Sequence, residues 1–164
     1  MANDSGKEKK EFESVDEFLK EKFKPKDILQ LNDRQLEALY AQAYNLYQTG
    51  RFNDALQIFH MLTTIEANQA KYVLGLAACH HMMKNYQSAI DTYLVQSILE
   101  PENPIPFYHM SDCYLAMKDP YSALMVLDMT VKKAGNKPEF KTLKDRATLT
   151  MENLRKEIKE EIKT

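Results

Sequence analysis

The chain has 164 residues, enough for one domain with its own core, and 44% of them are hydrophobic. Its 22 basic and 24 acidic residues leave a formal net charge of -2, which argues against a nucleic-acid partner held by phosphate attraction. Only 4 Gly and 6 Pro occur, so the composition favours an all-α chain and offers little turn chemistry for a sheet.

Residues 1–11 are polar and rich in Lys and Glu, without apolar anchors, and are expected to be disordered. They hold no apolar signal-peptide core, and no apolar run approaches the ~20 residues that span a bilayer. A cytoplasmic protein with no membrane attachment is the expectation. Cys79 and Cys113 make no secreted disulfide framework and read as reduced, buried thiols. Ser14 and Glu17 form a capping box, after which Val15, Phe18, Leu19 and Phe23 share one apolar face. Lys24-Pro25 ends that helix. This amphipathic helix lies in an N-terminal extension assigned to residues 12–35. Its apolar face either packs on the first repeat or supports dimerisation. Asn32 and Gln35 make a second capping box, with Leu31 placed to staple against Leu36.

Three copies of one unit follow. Gly50-Arg51-Phe52-Asn53-Asp54-Ala55, Lys84-Asn85-Tyr86-Gln87-Ser88-Ala89 and Lys118-Asp119-Pro120-Tyr121-Ser122-Ala123 align, and their alanines are spaced by 34 residues both times. Four residues after each Ala stands a bulky group (Phe59, Tyr93, Leu127), and twelve before it a small one (Ala43, Ala77, Ser111). This is the period and residue pattern of tetratricopeptide repeats, assigned to 36–69, 70–103 and 104–137 within 36–137. Each unit is predicted to be two antiparallel helices. The small residues let the two helices approach, and the bulky residue fills the space toward the next unit. One unit cannot bury its apolar face alone, so the units must stack. Gln96 and Thr130 stand where the pattern prefers a small apolar residue. Asn103-Pro104 and Asp119-Pro120 read as helix caps with a following first turn.

Residues 138–164 are predicted to form a C-terminal capping helix. Phe140, Leu143, Ala147, Met151, Leu154 and Ile158 recur every three or four residues, and the closing stretch is mostly Lys and Glu. Such a helix supplies the polar outer face that a repeat array needs at its end.

In stacked repeats the first helices line a concave face. Tyr40, Tyr44 and Tyr47 stand at i, i+4 and i+7, one stripe of the first helix, distinct from the packing stripe of Leu39, Ala43 and Leu46. The matching positions are Leu74, Ala78 and His81 in the second unit, and Tyr108, Asp112 and Leu115 in the third. Large rings alternating with small residues make pockets, and Tyr suits a peptide because its ring buries area while its hydroxyl bonds backbone. The alternative occupant of these rings is the chain's own N-terminal segment or a second copy. The repeat methionines read mostly as core filler, some lining an adaptable surface.

No phosphate loop, nucleophile motif or cofactor box occurs, so neither an enzyme nor a cofactor is expected. Cys79-His80-His81 is no metal set, since consecutive helical residues point about 100° apart. A domain gripping an acidic tail needs Lys, Arg and Asn where this chain has Tyr40, Tyr44, Gly75, Ile105 and His109.

Tyr40-Ala41-x-Ala43-Tyr44-x-x-Tyr47-x-x-Gly50, Gly75-Leu76-Ala77-Ala78, Tyr86 with Ala89 and Tyr93, and Pro104 with the run from His109 to Cys113 carry a closer resemblance. Over roughly residues 28–150 the chain resembles the class II chaperones of bacterial type III secretion. The resemblance implies a three-repeat domain whose N-terminal extension supports a homodimer. It implies hydrophobic translocator proteins as partners, held as an extended segment with spaced Pro and Leu anchors. It also implies that Tyr40, Tyr44 and Tyr47 belong to that groove. A general scaffold or assembly factor on the same fold is the alternative.

Overall fold

The computed structural model describes residue 26 and residues 29–163. The segment 1–11 and the N-terminal helix with Val15, Phe18, Leu19 and Phe23 lie outside the described residues.

Among the described residues there are seven α-helices and no strand. They are α1 (Asp33–Gln48), α2 (Phe52–Ile65), α3 (Ala70–Met82), α4 (Tyr86–Leu99), α5 (Ile105–Ala116), α6 (Pro120–Ala134) and α7 (Lys141–Glu161), with a 3-10 turn at Pro138–Phe140 before α7. Each helix packs chiefly on its neighbours in sequence, which is the geometry of a solenoid of helical hairpins.

The residues that repeat every 34 positions are those that let the helices touch. Ala43, Ala77, Ala55, Ala89 and Ala123 have no exposed surface, and Ser111 almost none. Their small side chains bring paired helices close enough for the backbones to exclude any larger group. Phe59, Tyr93 and Leu127 are buried one turn further on. Three clusters result, centred on Phe59 and Leu62, on Tyr93 and Phe107, and on Leu127 with Ala147, Met151 and Leu154 of α7. Cys79 and Cys113 are free and buried, and burial pushes both thiols up to about 11, which leaves them protonated and inert at neutral pH.

Gln96 and Thr130 are also buried. The Thr130 hydroxyl donates to the Val126 carbonyl, so it costs little there. Gln96 donates through Nε2 to Glu100, while its Oε1 has no partner among the described residues.

The ends of the elements refine the sequence assignments. Asn32 accepts from the Gln35 N–H while Gln35 accepts from the Asn32 N–H, so α1 begins at Asp33, ahead of the repeat start at 36. Leu31 packs against the first cluster beside Leu36, as a staple does. Asp119 caps α6 through the Ser122 N–H. Asn103 serves α5 from one residue farther out than predicted: its Oδ1 accepts the Ile105 N–H, and Pro104 occupies the cap position. The predicted helix 138–164 opens as a 3-10 turn at Pro138–Phe140, and the regular helix starts at Lys141.

One expectation is corrected. Of the seven methionines in the repeats, Met110 alone is buried. Met61, Met82, Met117, Met125 and Met129 are exposed, because the inward positions are already filled by the small and bulky residues of the repeat pattern.

Candidate functional site

The first helices of the first two hairpins, α1 and α3, stand side by side with a cavity of about 260 Å3 between them. Its walls are Tyr40, Tyr44, Tyr47 and Gln48 of α1 and Lys71, Leu74, Gly75 and Ala78 of α3, and Phe59 of α2 forms the floor. The tyrosines reach this place because they lie on a stripe of α1 turned roughly 60° from buried Leu36 and Ala43, beside the packing face. They are held differently. Tyr40 is half-buried, stacked on Tyr44 at 6.4 Å and set edge-on to Phe59 at 6.0 Å. Tyr47 packs edge-on to Phe52 at 5.4 Å, and burial pushes its hydroxyl above the ordinary phenol range. Tyr44 keeps 51% of its surface exposed, a large apolar ring left at the mouth of the cavity.

Gly75 is what opens the floor. A Cβ built there would lie 2.3 Å from the Phe59 ring, so only glycine lets that ring slide under α3. At the equivalent place in the next repeat stands His109. There the imidazole covers the floor ring instead, stacking on Tyr93 at 5.3 Å and 21°.

Five of the eight predicted groove residues, Tyr40, Tyr44, Tyr47, Leu74 and Ala78, therefore share one cavity. The other three sit beyond it. His81 lies edge-on to Tyr86 and Tyr93 and 6.4 Å from the His109 ring. Tyr108 packs edge-on to His109 and against the third cluster. Asp112 is half-buried, and burial raises its carboxyl above the usual range, with nearby His81 pulling the other way. His109 is held below the ordinary imidazole value by burial and then by His81.

Sequence reasoning missed Lys71, Phe59 and His109 at this site. Lys71 is paired with Glu37 at 2.6 Å and sits 4.7 Å above the Tyr40 ring, so it places one cation at the rim. Its signal was present, since Glu37 and Lys71 stand 34 residues apart, the repeat spacing that puts them side by side on adjacent hairpins. Among the described residues no group of three or more His, Cys, Asp or Glu could hold a metal ion, and no helix is long and apolar enough to cross a membrane.

Comparison with known proteins agrees with this architecture. The tetratricopeptide repeat family matches residues 36–69 and 70–103. The low calcium response locus protein H of Yersinia pseudotuberculosis is 31% identical over 134 residues, covering 80% of each chain. The Yersinia enterocolitica type III secretion chaperone SycD, solved with a peptide of the translocator YopD, is 30% identical with a TM-score of 0.73, over 77% of this chain and 96% of that one. The chain belongs to the tetratricopeptide translocator chaperones of type III secretion. A further member of this chaperone family, PcrH of Pseudomonas aeruginosa, solved with the chaperone-binding region of PopD, is 29% identical with a TM-score of 0.74, over 77% of this chain and 96% of that one. Translocator chaperones thus share the hairpin stack that brings α1 and α3 together here.

Proposed function

We propose that this chaperone holds an extended segment of a hydrophobic translocator along the face formed by its first helices, with one apolar anchor seated between Tyr40, Tyr44, Tyr47, Leu74 and Ala78. The observation that carries the reading is the cavity between α1 and α3, floored by Phe59 because Gly75 has no side chain. It is supported by the two related chaperones solved with translocator segments. His81, Tyr108 and Asp112 continue the same face into the third hairpin. A translocator carries membrane-inserting stretches that aggregate when exposed, and covering one segment keeps it apart from other chains. The work is done in the cytoplasm, needs no cofactor and breaks no covalent bond, so the chain is a binding protein and not an enzyme. Free chains pair as a homodimer through Val15, Phe18, Leu19 and Phe23, in keeping with a SycD structure described as an alternative dimer.

The test is co-production of the wild type or Tyr44→Ala with the translocators of the same secretion system, followed by affinity capture. Tyr44 is an exposed ring, so its loss should leave the fold intact. Removing one buried anchor contact of about 1.5–3 kcal/mol lowers affinity about tenfold to hundredfold. Undiminished recovery of the translocator by Tyr44→Ala would remove the cavity from the binding site.

A further inference from the structure

Midway along this face the lining changes character. Around the cavity it is rings and small apolar residues. One repeat further on, Asp112 stands where Tyr44 and Ala78 stood, and His109 where Gly75 stood. Aromatic packing holds these polar groups in place: His109 lies flat on Tyr93, Tyr108 braces it from the side, and Tyr86 and Tyr93 flank His81. Among the described residues no donor hydrogen-bonds the Asp112 carboxylate, and neither imidazole is hydrogen-bonded. Burial strips part of the water from the Asp112 carboxylate and raises its carboxyl, while its oxygens stay open to solvent or to an incoming donor.

An extended peptide entering the groove has the complementary need. Every residue brings a backbone N–H and C=O, and those beside an apolar anchor lose their water when the anchor is seated. The cavity walls offer neutral acceptors, the hydroxyls of Tyr40, Tyr44 and Tyr47 and the amide of Gln48, but no carboxylate.

We propose that Asp112, flanked by His81 and His109, is a hydrogen-bond-accepting subsite that takes a donor of the bound segment in the stretch adjoining the anchor seated by Tyr40, Tyr44 and Leu74. The donor is a backbone N–H or a side-chain N–H or O–H. This rests on the groove reading above and adds a selectivity to it. A segment with an acidic residue at that place meets a second carboxylate and is rejected.

The experiment uses fluorescein-labelled peptides of the PopD chaperone-binding region and reads anisotropy with the full chain as wild type, Tyr44→Ala, Asp112→Leu and Asp112→Asn. Circular dichroism checks the fold of each. Asp112→Leu is expected to weaken binding about tenfold or more, as for loss of a hydrogen bond to a charged group, and Asp112→Asn by less. Peptides methylated at one backbone nitrogen at a time, or with one donor side chain replaced by Ala, locate the donor. One position costs the wild type about tenfold and costs Asp112→Leu nothing. Methylation sensitivity identifies a backbone donor, and replacement sensitivity a side-chain donor. If Asp112→Leu does not fold, the same peptide scan against Asp112→Asn must show a reduced cost at that position. Wild-type affinity in both Asp112 variants, with Tyr44→Ala still impaired, overturns the subsite and spares the groove. Wild-type affinity in Tyr44→Ala, or no binding by the wild type, overturns the groove reading and the subsite with it.

Discussion

At Gly75 a single missing side chain decides whether the site exists. The Phe59 ring fills the volume that any Cβ would need, with three of its atoms within 2.6 Å of the ideal position. Phe59 is itself 2% exposed and cannot swing away without opening the first cluster. Gly75→Ala should therefore destabilise the protein by about 1–3 kcal/mol, the cost of overpacking a filled core, and narrow the cavity. Urea unfolding measures the first effect and peptide affinity the second. An unchanged unfolding midpoint would mean that the ring has free space to retreat. The sequence displays Gly75 within the Gly-Leu-Ala-Ala run, but the reason for it is a contact between residues 59 and 75, which belong to different hairpins. The tyrosine stripe was legible because a helix repeats its face every 3.6 residues. The covering of Tyr93 by His109 was not, since no periodicity states which side chain lies over which ring.

At the level of the element, the turn between the two helices of each hairpin repeats as faithfully as the core. Gly50, Lys84 and Lys118 stand at the same place, with φ of 79°, 62° and 60°. After each, the next N–H reaches back five residues: Arg51 to Leu46, Asn85 to His80 and Asp119 to Tyr114, all at 2.9 Å. This is a Schellman stop, which requires a left-handed residue after the helix end. Glycine accepts that conformation freely and lysine does not. Lys84→Gly should accordingly stabilise the chain by about 0.5–1 kcal/mol, read as a raised denaturation midpoint with an unchanged slope. A lowered midpoint would show that the lysine stem contributes packing that outweighs its backbone strain. The alignment of Gly50 with two lysines was visible in the sequence. The shared left-handed turn was not, because lysine carries no signal for it. Cap chemistry was read more surely: Asn32, Gln35 and Asp119 act on a backbone two or three residues away, where tertiary context has little say.

On the scale of the whole molecule, each hairpin among the described residues packs chiefly on the one before and the one after, so the last exposed face must be closed by something outside the repeats. α7 does this with Ala147, Met151 and Leu154 set against Ala123 and Leu127. A chain ending at Lys137 should bind a fluorescent apolar dye, melt at a lower temperature and unfold in more than one step as the third hairpin frays. Cooperative unfolding at the wild-type temperature would show that α7 contributes nothing to the stack. Sequence alone determined the helical class, the period of 34 and the residues that make helices touch, because helix propensity, apolar periodicity and small-residue spacing are local and recur along the chain. It also determined which face of α1 carries the tyrosines. Only the tertiary structure decided that five of the eight groove residues close around one cavity, that Phe59 and Lys71 join them, and that five of the seven repeat methionines face outward. Those outcomes depend on how two hairpins are offset and rotated when they stack, and that placement is the sum of many contacts between residues far apart in the chain.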